Sequence, residues 1–266
     1  MSLPTRYEAN GIRYYRAGDN PSKSYPSVTA ILGKTASEAA KKALHTWSLK
    51  NPGGKEAAAE RGTSIHAACE AYIRGLPVHV PDAYLPFWRG LAQHLDKYDA
   101  FLWSEKPLRP EWKHCVGEDG ISRLWSHQFG YSGCPDLIGV RNGVTILVDF
   151  KTSNGPYCRW YPKEQDRSMF GGWRKYHKCS LQLAAYALAC KETLGITIDA
   201  AQILVSTSEI DQSFLLHGDE LERARITWLQ KVALFYELIA AEEAEARALE
   251  QQTSELRILT PALALA

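Results

Sequence analysis

The chain of 266 residues is 45% hydrophobic and 23% charged, with a formal net charge of +1 at pH 7. This predicts a soluble globular protein built on one large domain; it excludes a wholly basic, histone-like nucleic-acid binder and confines any nucleic-acid contact to a local basic patch. No apolar run is long enough to span a bilayer and residues 1–6 carry no apolar signal core, so the expectation is a cytoplasmic protein without a membrane partner.

Residues 7–33 alternate aromatic and polar side chains around Gly11, Asp19, Asn20, Pro21 and Pro26, which reads as short strands and turns. Helical patterning follows over 37–50, with Leu44 and Trp47 on one face, and breaks at Asn51-Pro52-Gly53-Gly54. A helix is predicted over 55–74, stopped by Gly75 and Pro77, and another over 86–103, where Leu91, Leu95 and Tyr98 have helical spacing. Alternation interrupted by Gly117, Asp119, Gly120 and Gly130 predicts an antiparallel meander over 103–151. Residues 154–178 are dense in aromatic and basic side chains and read as a long loop. Residues 181–194 read as a helix closed by Gly195, and 198–206 as a strand. A long helix is predicted from 219 to about 250, with Ile226, Leu229, Leu234 and Leu238 available for packing, and the tail after Leu259 is expected to fray. The six cysteines, Cys69, Cys115, Cys134, Cys158, Cys179 and Cys190, lack any Cys-x-x-Cys pair, so reduced, mostly buried thiols are expected rather than zinc or an iron–sulfur cluster.

The most informative stretch is Tyr131 to Thr152. Asn142-Gly143 between two runs rich in Val and Ile predicts a two-residue type I′ hairpin, because both turn residues must adopt positive φ. Arg141 then pairs with Val144, Val140 with Thr145, and Asp136 falls opposite Asp149, with Cβ atoms about 4.5–5.5 Å apart. Lys151 points to the same side as Asp149 because strand side chains alternate. Val144, Ile146, Val148 and Phe150 make the other face apolar, while Ile138, Val140 and Leu147 accompany the carboxylates, so both faces look covered. Two acids opposed near a dry sheet are costly unless a proton or cation sits between them. Oxygen donors at this separation suit a hard divalent ion such as Mg²⁺ or Mn²⁺, and a neighbouring ammonium suits a reaction that develops negative charge.

On the helix 55–74, His66 and Glu70 lie one turn apart beside the apolar stripe Ile65, Cys69 and Ile73. A lone histidine there is more often a core or surface residue than a metal ligand. Gln182 and Tyr186 are likewise four apart on a helix otherwise rich in Ala and Leu.

Together these blocks resemble a family. Pro135-Asp136 followed by Asp149-Phe150-Lys151 is similar to the motif of PD-(D/E)XK nucleases. Arg61-Gly62-Thr63-x-x-His66-x-x-x-Glu70 and Gln182-x-x-x-Tyr186 resemble, in order and spacing, the helix motifs flanking that hairpin in the RecB-like branch. Pro26 to Leu32 is more loosely similar to what precedes the core in phage and mitochondrial genome maintenance exonucleases. The resemblance implies an α/β fold with a mixed central sheet flanked by helices, a restriction-endonuclease-like core, in a single domain. Within it 1–100 would be a mostly helical N-terminal part, 101–210 the catalytic sheet and the Gln182 helix, and 211–266 a C-terminal helix and tail.

The resemblance further implies that His66, Asp136, Asp149 and the backbone carbonyl of Phe150 hold one or two Mg²⁺ or Mn²⁺ ions. Lys151 would orient the attacking water or stabilise the phosphorane, and Gln182 would position Lys151 or that water, with Tyr186 close by. Glu70 could support a ligand by hydrogen bonding, reach a second ion, or pair with Arg74; the first is preferred. The implied activity is metal-dependent DNA hydrolysis by an exonuclease, on single-stranded or end-bearing DNA, in recombination, repair or phage DNA metabolism. A structure-specific endonuclease or nickase would use the same residues, and a non-catalytic DNA-binding module would keep the fold. For DNA contact, Ser27, Thr29, Arg61 and Ser64 are candidate phosphate donors or plain helix caps. Trp160, Arg167, Trp173, Arg174, Lys175 and Lys178 suit a single-strand surface, or equally a lid whose aromatics pack back on the protein.

Overall fold

The computed structural model describes residues 5–20 and 22–263, with side chains to 252. Strands β1 (Arg6–Ala9) and β2 (Ile12–Arg16) form a hairpin around Asn10-Gly11, both at positive φ, and β3 (Ser24–Pro26) completes a small antiparallel sheet. Next comes α1 (Val28–Lys34), a helix within a stretch that sequence patterning assigns to strands and turns. Ser37 caps α2 (Glu38–Lys50), which buries none of its residues, and α3 (Gly54–Ile73) ends before Gly75 at φ 67°. The N-terminal part therefore opens on strands before it becomes helical.

Helix α4 (Leu85–Leu95) is shorter than predicted, and β4 (Ala100–Ser104) holds Trp103 in a strand instead of a helix. The apolar periodicity ran past the helix end because Tyr98 is also buried, from a turn rather than from the helix. Its ring lies where a Cβ on Gly139 would be 2.6 Å from Cδ1, and its hydroxyl donates to Gln202.

After the two-residue strand β5 (Lys106–Pro107) the chain leaves the sheet. It makes a 3-10 turn over Pro110–Cys115 and a separate hairpin of β6 (Leu124–Ser126) and β7 (Tyr131–Gly133), then re-enters through β8 (Leu137–Arg141) and β9 (Val144–Thr152). The region 103–151 is thus antiparallel but is not one continuous meander. Strand β10 (Ala200–Ser206) runs parallel to β9, and the helix α5 (Phe170–Leu194) provides the crossover that parallel pairing requires. Strand β11 (Asp211–His217), which lies within the 211–266 section expected as a C-terminal helix and tail, forms the sheet edge. Helix α6 (Gly218–Leu263) starts near the predicted point and runs beyond 250 and past Leu259; residues 264–266 of the tail expected to fray lie outside the described residues.

The fold is mixed α/β, with main-sheet order β11-β10-β9-β8-β4-β5. One face packs Leu137, Val148, Phe150 and Leu204 against Ile65, Cys69 and Leu91 of α3 and α4. The other packs Ile138, Leu147, Ile203 and Val205 against Leu183 and Ala187 of α5 and Trp228 of α6. On α6 the buried stripe is Leu221, Ala224, Trp228, Val232 and Phe235, while Ile226 and Leu234 are exposed; the fully buried Trp228 sets the helix rotation. Among the described residues no helix is long and apolar enough to cross a membrane.

The predicted loop 154–178 is the largest departure. Residues Glu164–Met169 form a 3-10 turn and α5 begins at Phe170, so Trp173, Arg174, Lys175 and Lys178 stand on a helix. Gly171-Gly172 looks like a helix breaker, but Gly172 is there for close packing: a Cβ would lie 2.4 Å from the carbonyl oxygen of Pro156. Gly171 has open space around its Cβ direction. Gly172→Ala should therefore destabilise the fold by about 1–3 kcal/mol in chemical denaturation, whereas Gly171→Ala should be neutral or stabilise it by up to about 1 kcal/mol. Equal effects of the two would contradict this packing account.

Candidate metal centre

Asn142 and Gly143 have φ of 52° and 74°, and the register they set pairs Arg141 with Val144 through Leu137 with Val148. Asp136 is one residue before β8, so the next position along the ladder is opposite Asp149. The carboxylate of Asp136 accepts the Phe150 N–H at 2.7 Å, and its carbonyl accepts the Glu105 N–H at 2.9 Å. Asp136 thus ties the end of β9 to the β4–β5 turn.

Helix α3 brings His66 to the same place. Its neighbours Ile65 and Cys69 sink into the core beside Phe150, which leaves His66 at the sheet end. The imidazole Nε2 is 3.2 Å from the Phe150 carbonyl oxygen, and Nδ1 is 3.2 Å from Glu105 Oε1 and 3.6 Å from Asp136 Oδ1. Only an imidazolium can donate on both sides at once. Burial opposes that charge, but Asp136 and Glu105 outweigh it and push the pKa up to about 9.

Ligand atoms of His66, Glu105 and Asp136 all lie within 4.8 Å of one another. Two carboxylates and an imidazole, with a backbone carbonyl adjoining, make a donor set that fits Mg²⁺ or, better, Mn²⁺. A recess of about 400 Å³ lined by Gly62, Thr63, His66, Ala67, Glu70 and Glu105 opens onto this cluster.

Glu105 escapes sequence reasoning. It sits between Ser104 and Lys106 in a sharp turn joining β4 to β5, and its φ is 48°. Positive φ is uncommon for a glutamate and marks a backbone held by its surroundings. No periodicity reports it; Ser-Glu-Lys reads as ordinary surface.

Asp149 is not among the three clustered groups. It is 1% exposed at its side chain, with Lys151 Nζ 2.6 Å from Oδ2. Burial raises its pKa, while the Lys151 ammonium works in the opposite direction. Burial would lower the Lys151 pKa, but Asp149 and Asp136 more than compensate, so Lys151 remains a firmly protonated cation. The structure therefore gives the second clustered carboxylate to Glu105 and places Asp149 behind it as the partner of Lys151.

The remaining expected residues divide. Glu70 bonds Arg74 Nε at 3.0 Å, and Arg74 also donates to the Ser104 carbonyl at 3.3 Å, so Glu70 is the pairing partner of Arg74 and not a member of the metal cluster. The Gln182 amide donates to the Tyr186 hydroxyl at 3.3 Å, and among the described residues the Lys151 ammonium pairs with Asp149 and not with the Gln182 oxygen. Tyr186 is buried against Gly133, where a Cβ would lie 2.6 Å from its Cε1. Burial, then the charges of Asp149 and Asp136, keep its phenol protonated.

Ser27 is 2% exposed and its hydroxyl caps α1 by accepting the Ala30 N–H at 3.1 Å, so it is a cap and is not presented to a phosphate. Thr29 is exposed on α1, with its hydroxyl 3.2 Å from that of Ser27, and Ser64 is half-buried on α3. Arg61 lies over the Phe87 ring at 4.6 Å with its Nε buried and unbonded, and Lys175, which feels the Arg61 charge, donates to Ser153 Oγ at 2.9 Å. Trp160, Arg167, Arg174 and Lys178 are exposed, Trp173 is half-buried, and Arg167 faces Glu164 at 3.7 Å.

No protein-family model matches the chain, and no curated protein matches it.

The raised His66 pKa has a definite sign. An imidazolium favoured in the fold stabilises it fully below about 6.5, the value of a free histidine, and that contribution is lost as pH rises from there through about 9. An NMR titration of the metal-free protein should find His66 protonated at pH 7.5, with a lower pKa in Glu105→Gln. Divalent-ion affinity should rise with pH as the competing proton leaves. A His66 that titrates near 6.5, unmoved by Glu105→Gln, would refute the arrangement.

Proposed function

We propose that the chain is a divalent-metal-dependent deoxyribonuclease of the PD-(D/E)XK superfamily, RecB-like branch, that acts as an exonuclease on DNA with a free end. The observation that carries this reading is the meeting of His66, Glu105, Asp136 and the Phe150 carbonyl, from three separate segments, beside the protonated Lys151 and buried Asp149. The motifs singled out in the sequence lie on the elements that border this point, and a restriction-endonuclease-like core is consistent with the mixed sheet flanked by helices.

A divalent ion held there would supply Lewis acidity and an activated water. The chain supplies the rest. Asp136, fixed by the Phe150 N–H, presents its other oxygen toward His66 and Glu105. Lys151 cannot act as a base while it keeps its proton; it is suited to stabilise the extra negative charge on phosphate oxygens in the transition state. Asp149 holds that ammonium in place. Tyr186, neutral and braced by Gln182, closes the apolar side of the acids.

The preference for ends rests on the likeness to the exonuclease branch, and roles in recombination, repair or phage DNA metabolism follow from the same likeness. A structure-specific endonuclease or nickase would share these residues, and circular single-stranded DNA separates the two: an end-dependent enzyme degrades the linear strand and spares the circle. End-labelled DNA incubated with Mg²⁺, Mn²⁺ or chelator should be cut only with the metal present. Asp136→Ala and Lys151→Ala should each lower the rate by at least about 10²–10³-fold with the far-ultraviolet circular dichroism unchanged. Full activity in either variant, or in chelator, would overturn the mechanism, and metal-independent DNA binding without cleavage would point to a non-catalytic module.

A further inference from the structure

Residues 159–178 carry six Lys and Arg against two acids, a local excess of positive charge in a chain whose formal net charge is only +1. Within this segment lie the most exposed aromatics of the molecule, Trp160 at 75% and Tyr161 at 67%. They do not fold back on the core, so burial does not account for them. Nor are they loose. Tyr161 is held edge-on by Phe170, with ring centroids 5.2 Å apart, and by Trp173 at 4.9 Å. Trp173 in turn lies nearly parallel to His177, with an interplanar angle of 11° and centroids 5.7 Å apart. The half-buried Trp173 is therefore a hub that fixes the attitude of two exposed rings.

The cations are arranged around this ledge. Arg174 and Lys178 are exposed one turn apart on α5, and between them Lys175 turns toward Ser153, two residues beyond Lys151 on the strand that bears Asp149. A row of π-faces flanked by cations is what unpaired bases and their phosphates recognise, since every base can stack and the backbone stays within reach of ammonium and guanidinium groups. A duplex hides its base faces and gains nothing from exposed rings.

We infer that Trp160, Tyr161 and His177 form a base-stacking ledge for single-stranded nucleic acid, whose backbone is led past Arg174, Lys175 and Lys178 toward the metal centre. The destination of the strand rests on the hydrolase reading above; the ledge itself is testable by binding alone. The experiment measures fluorescence anisotropy of short labelled oligo-dT, oligo-U, an abasic strand of equal length and a duplex, on chain made inert by Asp136→Asn.

Adding Trp160→Ala and Tyr161→Ala together should weaken oligo-dT binding by roughly tenfold or more and leave the abasic strand and the duplex unchanged. Restoring phenylalanine at both positions should recover most of the loss. Oligo-U losing affinity in parallel would extend the ledge to RNA, whereas a loss confined to oligo-dT would assign it to DNA. Arg174→Ala with Lys178→Ala should weaken all single strands, abasic included, and flatten the salt dependence by about 0.7 in slope for each phosphate contact removed. Equal weakening of abasic strand and oligo-dT by the aromatic variant, or no weakening of either, overturns the ledge. Should the aromatic pattern appear while unmutated chain cleaves nothing, the ledge stands and the hydrolase falls; cleavage with unaltered oligo-dT binding in the aromatic variant means the reverse.

Discussion

Two consecutive positive-φ residues, Asn142 and Gly143, decide which side of the sheet every residue of β8 and β9 faces. Strand side chains alternate, so a slip of one residue would drive Asp149 and Lys151 into the layer of Ile65, Leu91 and Leu204 and turn Val148 and Phe150 toward α5. That would put two charges among aliphatic side chains with nothing to pair them. The apolar cores on both faces therefore enforce the register as strongly as the turn does, and the placement of Asp136, the Phe150 carbonyl and Lys151 follows from it.

Charge is out of balance where these elements meet. Three carboxylates, from Glu105, Asp136 and Asp149, share the region with one ammonium and one imidazole. The fold resolves this in layers. Asp149, the deepest, takes the ammonium of Lys151; His66 keeps a proton for Asp136 and Glu105; and the surrounding Cys134, Cys179 and Tyr186 are held neutral, chiefly by burial. A group that must hold an extra proton to coexist with its neighbours is one that a divalent cation can relieve.

Sequence alone reached the hairpin because its signal is local: two turn residues and a strict alternation specify pairing without knowledge of the rest of the chain. It reached α3 and its stop for the same reason, through the Ile65, Cys69 and Ile73 stripe and Gly75. It failed where a tertiary partner overrode local grammar. Gly172 looks like a break until the Pro156 carbonyl is seen pressing on it, and Tyr98 looks like a helix residue until Gln202 and Gly139 explain its burial. Glu105 is the sharpest case, because its role depends on a backbone twist fixed by strands paired across more than thirty residues of intervening chain. Fold class was legible; the membership of the acidic cluster was not, since Asp149 and Glu105 exchange places only in three dimensions.

Arg74 links Glu70 on α3 to the carbonyl of Ser104, next to Glu105, and so fastens the helix of His66 to the turn that completes the cluster. The donor groups come from positions 66, 105 and 136, so a chain shorter than 136 residues lacks at least one of them. Long-range contacts form late, after the entropy of closing large loops has been met. A polypeptide built this way draws its three donors together only once helix, turn and hairpin have packed against one another.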